Sequence, residues 1–154
     1  MTSLTNLLVF DVSSYGSALA IINQFCDDKD VKVFEVSPVG PAAILILLVG
    51  DAIAGELLHN EIVSFFKSSI LNSIRLKNLD IEILKIYLSQ NKPEVLSNVL
   101  VQEFSFVSEA FGASQFLRNS DISVIEFRLI RTFPTNAILV STSNDVSKLI
   151  KIKN

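Results

Sequence analysis

The chain has 154 residues, of which 49% are hydrophobic and 19% charged, and its formal net charge is -3. This balance gives no basic footprint for nucleic acid, and a single cysteine, Cys26, excludes an internal disulfide framework and fits a reducing, cytoplasmic compartment. So apolar a composition in a small chain favours burial of surface against other subunits.

Apolar strands and helically spaced apolar residues alternate along the first half. The predicted elements are strands over 7–12, from 31, over 44–49 and over 74–76, and helices over 17–25, 52–66 and 79–88. Asp51 is placed to cap the second helix. In the third helix, Ile81, Leu84 and Leu88 form the predicted buried stripe, which Ile83 and Tyr87 widen, and Lys85 is turned to solvent.

No segment predicts attachment to a membrane. The most apolar stretch, residues 42–49, is far shorter than the ~20 residues of a spanning helix. Met1, Thr2 and Ser3 carry no positive charge, so we expect no signal peptide.

The second half repeats the first. Its predicted elements are a strand over 99–104, a helix over 108–117, a strand over 122–127, a loop over 128–136, a strand over 137–142 and a last helix capped by Asn144 or Asp145. Three sequence blocks recur in the same order: 6–9 as 98–101, 30–36 as 121–127 and 43–46 as 137–140.

This repetition predicts two tandem α+β domains, over 1–92 and 93–154, each a mainly antiparallel sheet with helices on one face. The second domain lacks a counterpart of residues 74–88 and is shortened at its C-terminal end.

The first half resembles a bacterial microcompartment shell domain. The matching pieces are a strand ending in an acid over 8–11, a helix rich in small residues over 16–26, strands over 31–36 and 44–49, an intervening glycine-containing loop over 39–42 and a final Gly-Asp over 50–51. Two such domains in one chain resemble the tandem shell proteins, and this resemblance implies a homotrimer shaped as a pseudohexamer around a central pore.

The resemblance also implies which loops line that pore. They are the loops between the second and third strands of each copy: Pro38, Val39, Gly40, Pro41 and Ala42, and Arg131, Thr132, Phe133, Pro134 and Thr135. Three Arg131 guanidinium groups near a symmetry axis would favour anions, so a small anionic metabolite is a candidate partner. The alternative is that both segments are ordinary hairpin loops.

Other reactive residues have simpler explanations than catalysis. His59, the single histidine, has no neighbouring metal ligands in sequence and is expected on a helix surface. Cys26 is expected to be a packed thiol. Asp11 and Glu103 end equivalent strands, so the repeat explains the pair without acid–base chemistry. We expect neither a metal nor a cofactor.

The sequence therefore favours a non-enzymatic, shell-like homotrimer with a central pore, with other shell proteins as further candidate partners. A free-standing trimer that binds a small molecule or has a regulatory role is the alternative. An enzyme with its active site between subunits is a third interpretation.

Overall fold

Two passes of the same element order run along the chain. The computed structural model describes residues 6–27, 30–90, 93–132 and 135–153, with only the backbone at Arg131, Thr132 and Lys153. The elements are β1 Asn6–Val12, α1 Tyr15–Phe25, β2 Val31–Val39, β3 Ala42–Val49, α2 Ala52–Phe65, β4 Ile70–Leu76, α3 Ile81–Tyr87, β5 Asn98–Phe104, α4 Val107–Asn119, β6 Ser123–Thr132, β7 Thr135–Ser143 and α5 Val146–Lys153. We call residues 6–90 the first repeat and residues 93–153 the second repeat.

The strands form two antiparallel sheets, one in each repeat. The first sheet has the order β2-β3-β1-β4 and the second has the order β5-β7-β6. Both sheets pack against helices, so the predicted α+β class is confirmed. Within the described residues, β5 has no strand on the side where β1 pairs with β4.

The two sheets repeat each other in register as well as in order. Asn6 lies opposite Val49 in the first sheet, and the equivalent Asn98 lies opposite Ser143 in the second. The second strand of each repeat also carries an irregularity at the same place, between Val33 and Glu35 in β2 and between 124 and 126 in β6. A bulge inserts a residue and bends the strand, so the repeats share backbone detail that the sequence blocks alone do not specify.

Equivalent helices cover the same face of each sheet. In the first repeat, α1 and α2 pack on the face that carries Leu8, Phe10 and Leu45. In the second, α4 and α5 pack on the corresponding face, which carries Leu139. Each helical layer therefore closes its own sheet, as predicted.

The opposite face of the first sheet is also buried, because α4 lies against it. Every residue of β1 is buried, and Leu7, Val9, Ile44 and Ile46 belong to a core that includes Phe111 of α4. Burial on both faces explains why β1 and β3 read as continuous apolar runs. In β5, by contrast, exposed residues alternate with half-buried ones.

Two helix caps follow the sequence prediction. The Asp51 carboxylate accepts the amides of Ile53 and Ala54, at 2.7 and 2.9 Å, at the start of α2. Asp145 accepts the amide of Ser147 at 2.9 Å, so it is the cap of α5. Such side-chain acceptors satisfy donors that the first helical turn leaves unpaired.

Two predictions in the last part of the first repeat were wrong. Residues 72 and 73, interpreted as a break, lie inside β4, which begins at Ile70. In α3, Ile83 and Leu84 are buried and Lys85 is exposed, as predicted. However, Ile81 and Leu88 are exposed, and Ile86, which the predicted stripe does not include, is buried. The helix begins only after its cap Asp80. The predicted boundary at residue 92 lies outside the described residues and stays a prediction.

Candidate assembly interface

The carboxylate of Asp11 joins the two repeats. One of its oxygens accepts the amide of Val107 and the other the amide of Ser108, both at 2.9 Å, so Asp11 at the end of β1 caps α4 of the other repeat. The residue before α4, Phe106, provides no cap of its own. Burial raises the pKa of the Asp11 carboxyl, against the lowering effect of these hydrogen bonds. Asp11 is thus a structural acid whose oxygens are both occupied.

Apolar contacts continue this connection along α4. Val107 and Phe111 are fully buried in the core that also holds Leu7 and Val9 of β1. Gly112 faces Ile74 of β4 so closely that an added Cβ would lie 2.6 Å from the Ile74 Cδ1 atom. The helix therefore packs between the two sheets, with its own sheet on one side and the first sheet on the other. We call the contact of α4 with the first sheet the internal interface.

Aromatic rings and polar pairs extend the junction beside α4. The rings of Tyr87, Phe111 and Phe127, from α3, α4 and β6, lie 4.6 to 5.1 Å apart between centroids. The Tyr87 hydroxyl donates to the Glu35 carboxylate on β2. Arg118 of α4 donates to Asp80, the cap of α3, at 2.8 Å. Elements of both repeats thus form one continuous packed junction.

The two surfaces equivalent to those of the internal interface, the sheet face of the second repeat and the α1 surface of the first, are partly exposed. Val99 and Val101, which correspond to Leu7 and Val9, are 51% and 56% exposed on β5. Tyr15 and Leu19 of α1, which correspond to Val107 and Phe111, are 43% and 44% exposed. The sequence blocks identify β1 with β5, but sequence reasoning did not predict that α4 would cover only one of the two equivalent sheet faces.

The first predicted pore loop is a tight hairpin between β2 and β3. Val39 lies opposite Ala42, and Gly40 adopts a φ of 61°, a left-handed conformation that glycine adopts without strain. Val39 is buried, whereas Pro38, Gly40 and Pro41 are exposed. The turn therefore presents a short, rigid tip.

The second predicted pore segment is mostly strand. The prediction of a loop over 128–136 was wrong, because β6 extends to Thr132 and β7 begins at Thr135, opposite it. Phe133 and Pro134 lie outside the described residues, and the side chain of Arg131 is not described. The extra residues of the second repeat thus lengthen a hairpin. Whether either tip lines a pore stays a prediction.

His59 and Cys26 have structural roles. His59 is half-buried rather than on the helix surface, since its ring stacks on Phe10 and its Nε2 lies 3.0 Å from the Ser73 hydroxyl. Burial, together with Arg75, lowers the pKa of His59. Cys26 is a half-buried free thiol, as predicted, and burial raises its pKa to about 11. Among the described residues, no three side chains of histidine, cysteine, aspartate or glutamate lie together in a cluster that could hold a metal ion.

A groove lies between α1 and α2. It has a volume of about 720 Å³ and is lined by Phe25, Leu57 and Phe65 together with Asn60, Glu61 and other polar residues. Ligand pockets combine an enclosed apolar lining with a few convergent polar groups. This groove is a wide, open surface, so it offers a weaker site than the packed junction between the repeats.

Comparison with known proteins places the fold. A microcompartment protein from Desulfitobacterium hafniense, solved by crystallography, superposes with a TM-score of 0.73 over 97% of this chain and 83% of the other, at 18% sequence identity. No family model and no curated protein matches the chain. The chain therefore has the fold of a microcompartment protein. No helix in the described part of the chain has the length and apolarity to cross a membrane.

Proposed function

We propose that this protein is a non-enzymatic, shell-like structural protein that assembles into a ring-shaped homotrimer. The observation that carries the proposal is the internal interface, in which α4 of one repeat packs on the sheet of an equivalent repeat. Such a head-to-tail contact joins two different surfaces, a helix and a sheet face. One surface of each kind is therefore left unused in a single chain: α1 of the first repeat and the sheet face of the second. Repetition of the contact between chains closes a ring when the rotation fits.

Three chains with two repeats each would give six equivalent positions, the pseudohexamer that the sequence predicts. The likeness to a microcompartment protein supports this reading at the level of the fold. It also motivates a cytoplasmic location, in or near a microcompartment, with other shell proteins as neighbours. The occupied oxygens of Asp11 and the packed ring of His59 argue against their use in catalysis.

The mass in solution tests the assembly. Light scattering coupled to size exclusion should give three times the 17.0 kDa of one chain at micromolar concentration. A monomer under these conditions would contradict the proposal. Genes for enzymes next to the gene for this protein would favour a role in a shell. The absence of such genes would favour a free-standing ring.

A central pore is the second part of the proposal. The β2–β3 and β6–β7 hairpins occupy equivalent places in the two repeats, and a ring would alternate their tips around its axis. A guanidinium is a permanent cation with five donors, so Arg131 would select carboxylates or phosphates. The Arg131→Ala variant should bind inorganic phosphate more weakly by calorimetry, without a change in oligomeric state.

Arg128 supplies the control for the pore. It lies on the same strand, is exposed and already pairs with Glu126. The Arg128→Ala variant should therefore bind phosphate like the unmodified protein. Equal phosphate binding by the Arg131→Ala variant and the unmodified protein would refute the anion preference.

The groove between α1 and α2 favours a second candidate, a free-standing trimer that binds a small apolar molecule. Phe25, Leu57 and Phe65 would supply the contacts. Binding of a hydrophobic dye that Leu57→Glu abolishes, with the trimer intact, would support this candidate.

A further inference from the structure

Resting on the proposed ring, we infer that α1 of one copy docks on the open face of the second sheet of another copy, where Glu103 caps it. The partner is thus a second copy of this chain. The contact would reproduce between chains the internal interface within the chain.

The burial of equivalent residues carries this inference. On the sheet side, Leu7 and Val9 are fully buried by α4, while the equivalent Val99 and Val101 are more than half exposed. On the helix side, Val107 and Phe111 are fully buried, while Tyr15 and Leu19 are more than 40% exposed. All four positions hold aliphatic or aromatic side chains, and about half of each remains exposed in the single chain.

Glu103 extends the equivalence to the polar contact. It occupies the place of Asp11 at the end of its strand, and it is exposed, with Thr135 donating to it at 3.4 Å. The amides of Tyr15 and Gly16 correspond to the two that Asp11 accepts. The cap of α1, Ser14, accepts the amide of Ser17 instead, one residue deeper in the helix.

The surface of α1 suits such a contact. An added Cβ at Gly16 would meet nothing closer than the Ser14 hydroxyl at 3.9 Å, so the first turn is open to the longer side chain of Glu103. The sequence of α1, YGSALAIINQF, contains no charged residue. The cores of protein interfaces are depleted of charge in the same way.

Two complementary variants test the docking. Leu19→Lys damages the helix surface and Val101→Lys the sheet surface, and both side chains are exposed in the single chain. Each variant alone should be monomeric, with an unchanged circular dichroism spectrum. An equimolar mixture should form a dimer. The intact α1 of the Val101→Lys chain can dock on the intact sheet face of the Leu19→Lys chain, whereas the two surfaces that remain are both damaged, so no third chain can bind.

Controls separate this inference from the proposed ring. Ile53→Lys, at an exposed apolar position of α2 outside the internal interface, should leave the trimer intact. Glu103→Ala should weaken association between chains about 2- to 30-fold, the range that a helix cap contributes. If the unmodified protein is monomeric, the ring itself fails. If it is trimeric but the mixture stays monomeric, or either lysine variant stays trimeric, only the assigned docking surfaces are wrong.

Discussion

The cap that Asp11 provides to α4 predicts a large loss of stability when its carboxylate is removed. Asp11→Ala leaves the amides of Val107 and Ser108 without an acceptor inside a buried junction. An unsatisfied buried donor costs about 1–3 kcal/mol, and loss of a helix cap about 0.5–2 kcal/mol. We therefore expect a loss of about 2–4 kcal/mol, which lowers the melting temperature by about 5–15 °C for a chain of this size.

Asp51 is a matched control for this experiment. It also accepts two backbone amides at a helix start, but it is exposed, so water can replace it. The Asp51→Ala variant should lose about 0.5–1 kcal/mol. Urea unfolding followed by circular dichroism measures both changes. Equal losses in the two variants would refute the argument that burial across the junction makes the Asp11 cap strong.

The same carboxylate predicts a pH dependence. Because burial raises the pKa of Asp11 in the folded protein, the fold favours its protonated form. The part of the stability that depends on this proton, which is separate from the two amide hydrogen bonds of the cap, is then fully present below the unfolded pKa of about 3.9 and is lost as the pH rises through the folded pKa. The unmodified protein should gain stability relative to Asp11→Asn as the pH falls from 7 towards 4. A difference that does not vary with pH would contradict the raised pKa.

Three further predictions concern other packed positions. Gly112→Ala places a methyl group against Cδ1 of Ile74, the movable end of that side chain, but also gains about 1 kcal/mol in helix propensity, so the net change in urea unfolding should stay within about 1 kcal/mol. In an Ile74→Val background, which lacks the clashing Cδ1 atom, the same Gly112→Ala change should stabilise the protein. Leu84→Ala should cost about 2–5 kcal/mol in the same assay, and Ile81→Ala, on the exposed side of α3, less than about 0.5 kcal/mol. With a pKa of about 11, Cys26 should react with iodoacetamide at pH 8 roughly 100-fold more slowly than a free cysteine, because the thiolate is the nucleophile; a rate near that of the free amino acid would contradict its burial.

The sequence repeats predicted most of the fold because they sit in the strands. Apolar strands and their turns are local signals, and the matching blocks predicted equivalent strands in the two repeats. The structure shows that these equivalent strands pair in the same way, β1 with β3 and β5 with β7. The cap Asp51 is equally local, since the acceptor and its donors lie within three residues. Residues that act within their own element are therefore well predicted.

Contacts between the repeats could not be predicted in this way. In α3, the periodicity predicts Ile81 and Leu88 at the centre of a buried stripe, yet both are exposed. The chain buries Ile86 on the flank instead, because α3 packs against β6 of the other repeat. The sequence identified Asp11 only as one of two equivalent acids. Its role as the cap of α4 could not be predicted, because the amides that it accepts lie almost 100 residues away. A helical periodicity indicates that one face is apolar, but it does not indicate which distant element packs on the helix, and this decides which residues beside that face are buried.

In the proposed ring, α1 and α4 would differ in whether the acid that caps them belongs to the same chain. Asp11 belongs to the same chain as α4, so its carboxylate is present at any protein concentration, and Phe106 can stand at the start of α4 without a capping side chain. In the proposed ring, Glu103 reaches α1 only after a second chain binds. A helix that must form before assembly needs a cap of its own, and Ser14 provides it by accepting the amide of Ser17. The amides of Tyr15 and Gly16 are then left to Glu103, whose contact adds to the stability of the ring and not to that of the single chain.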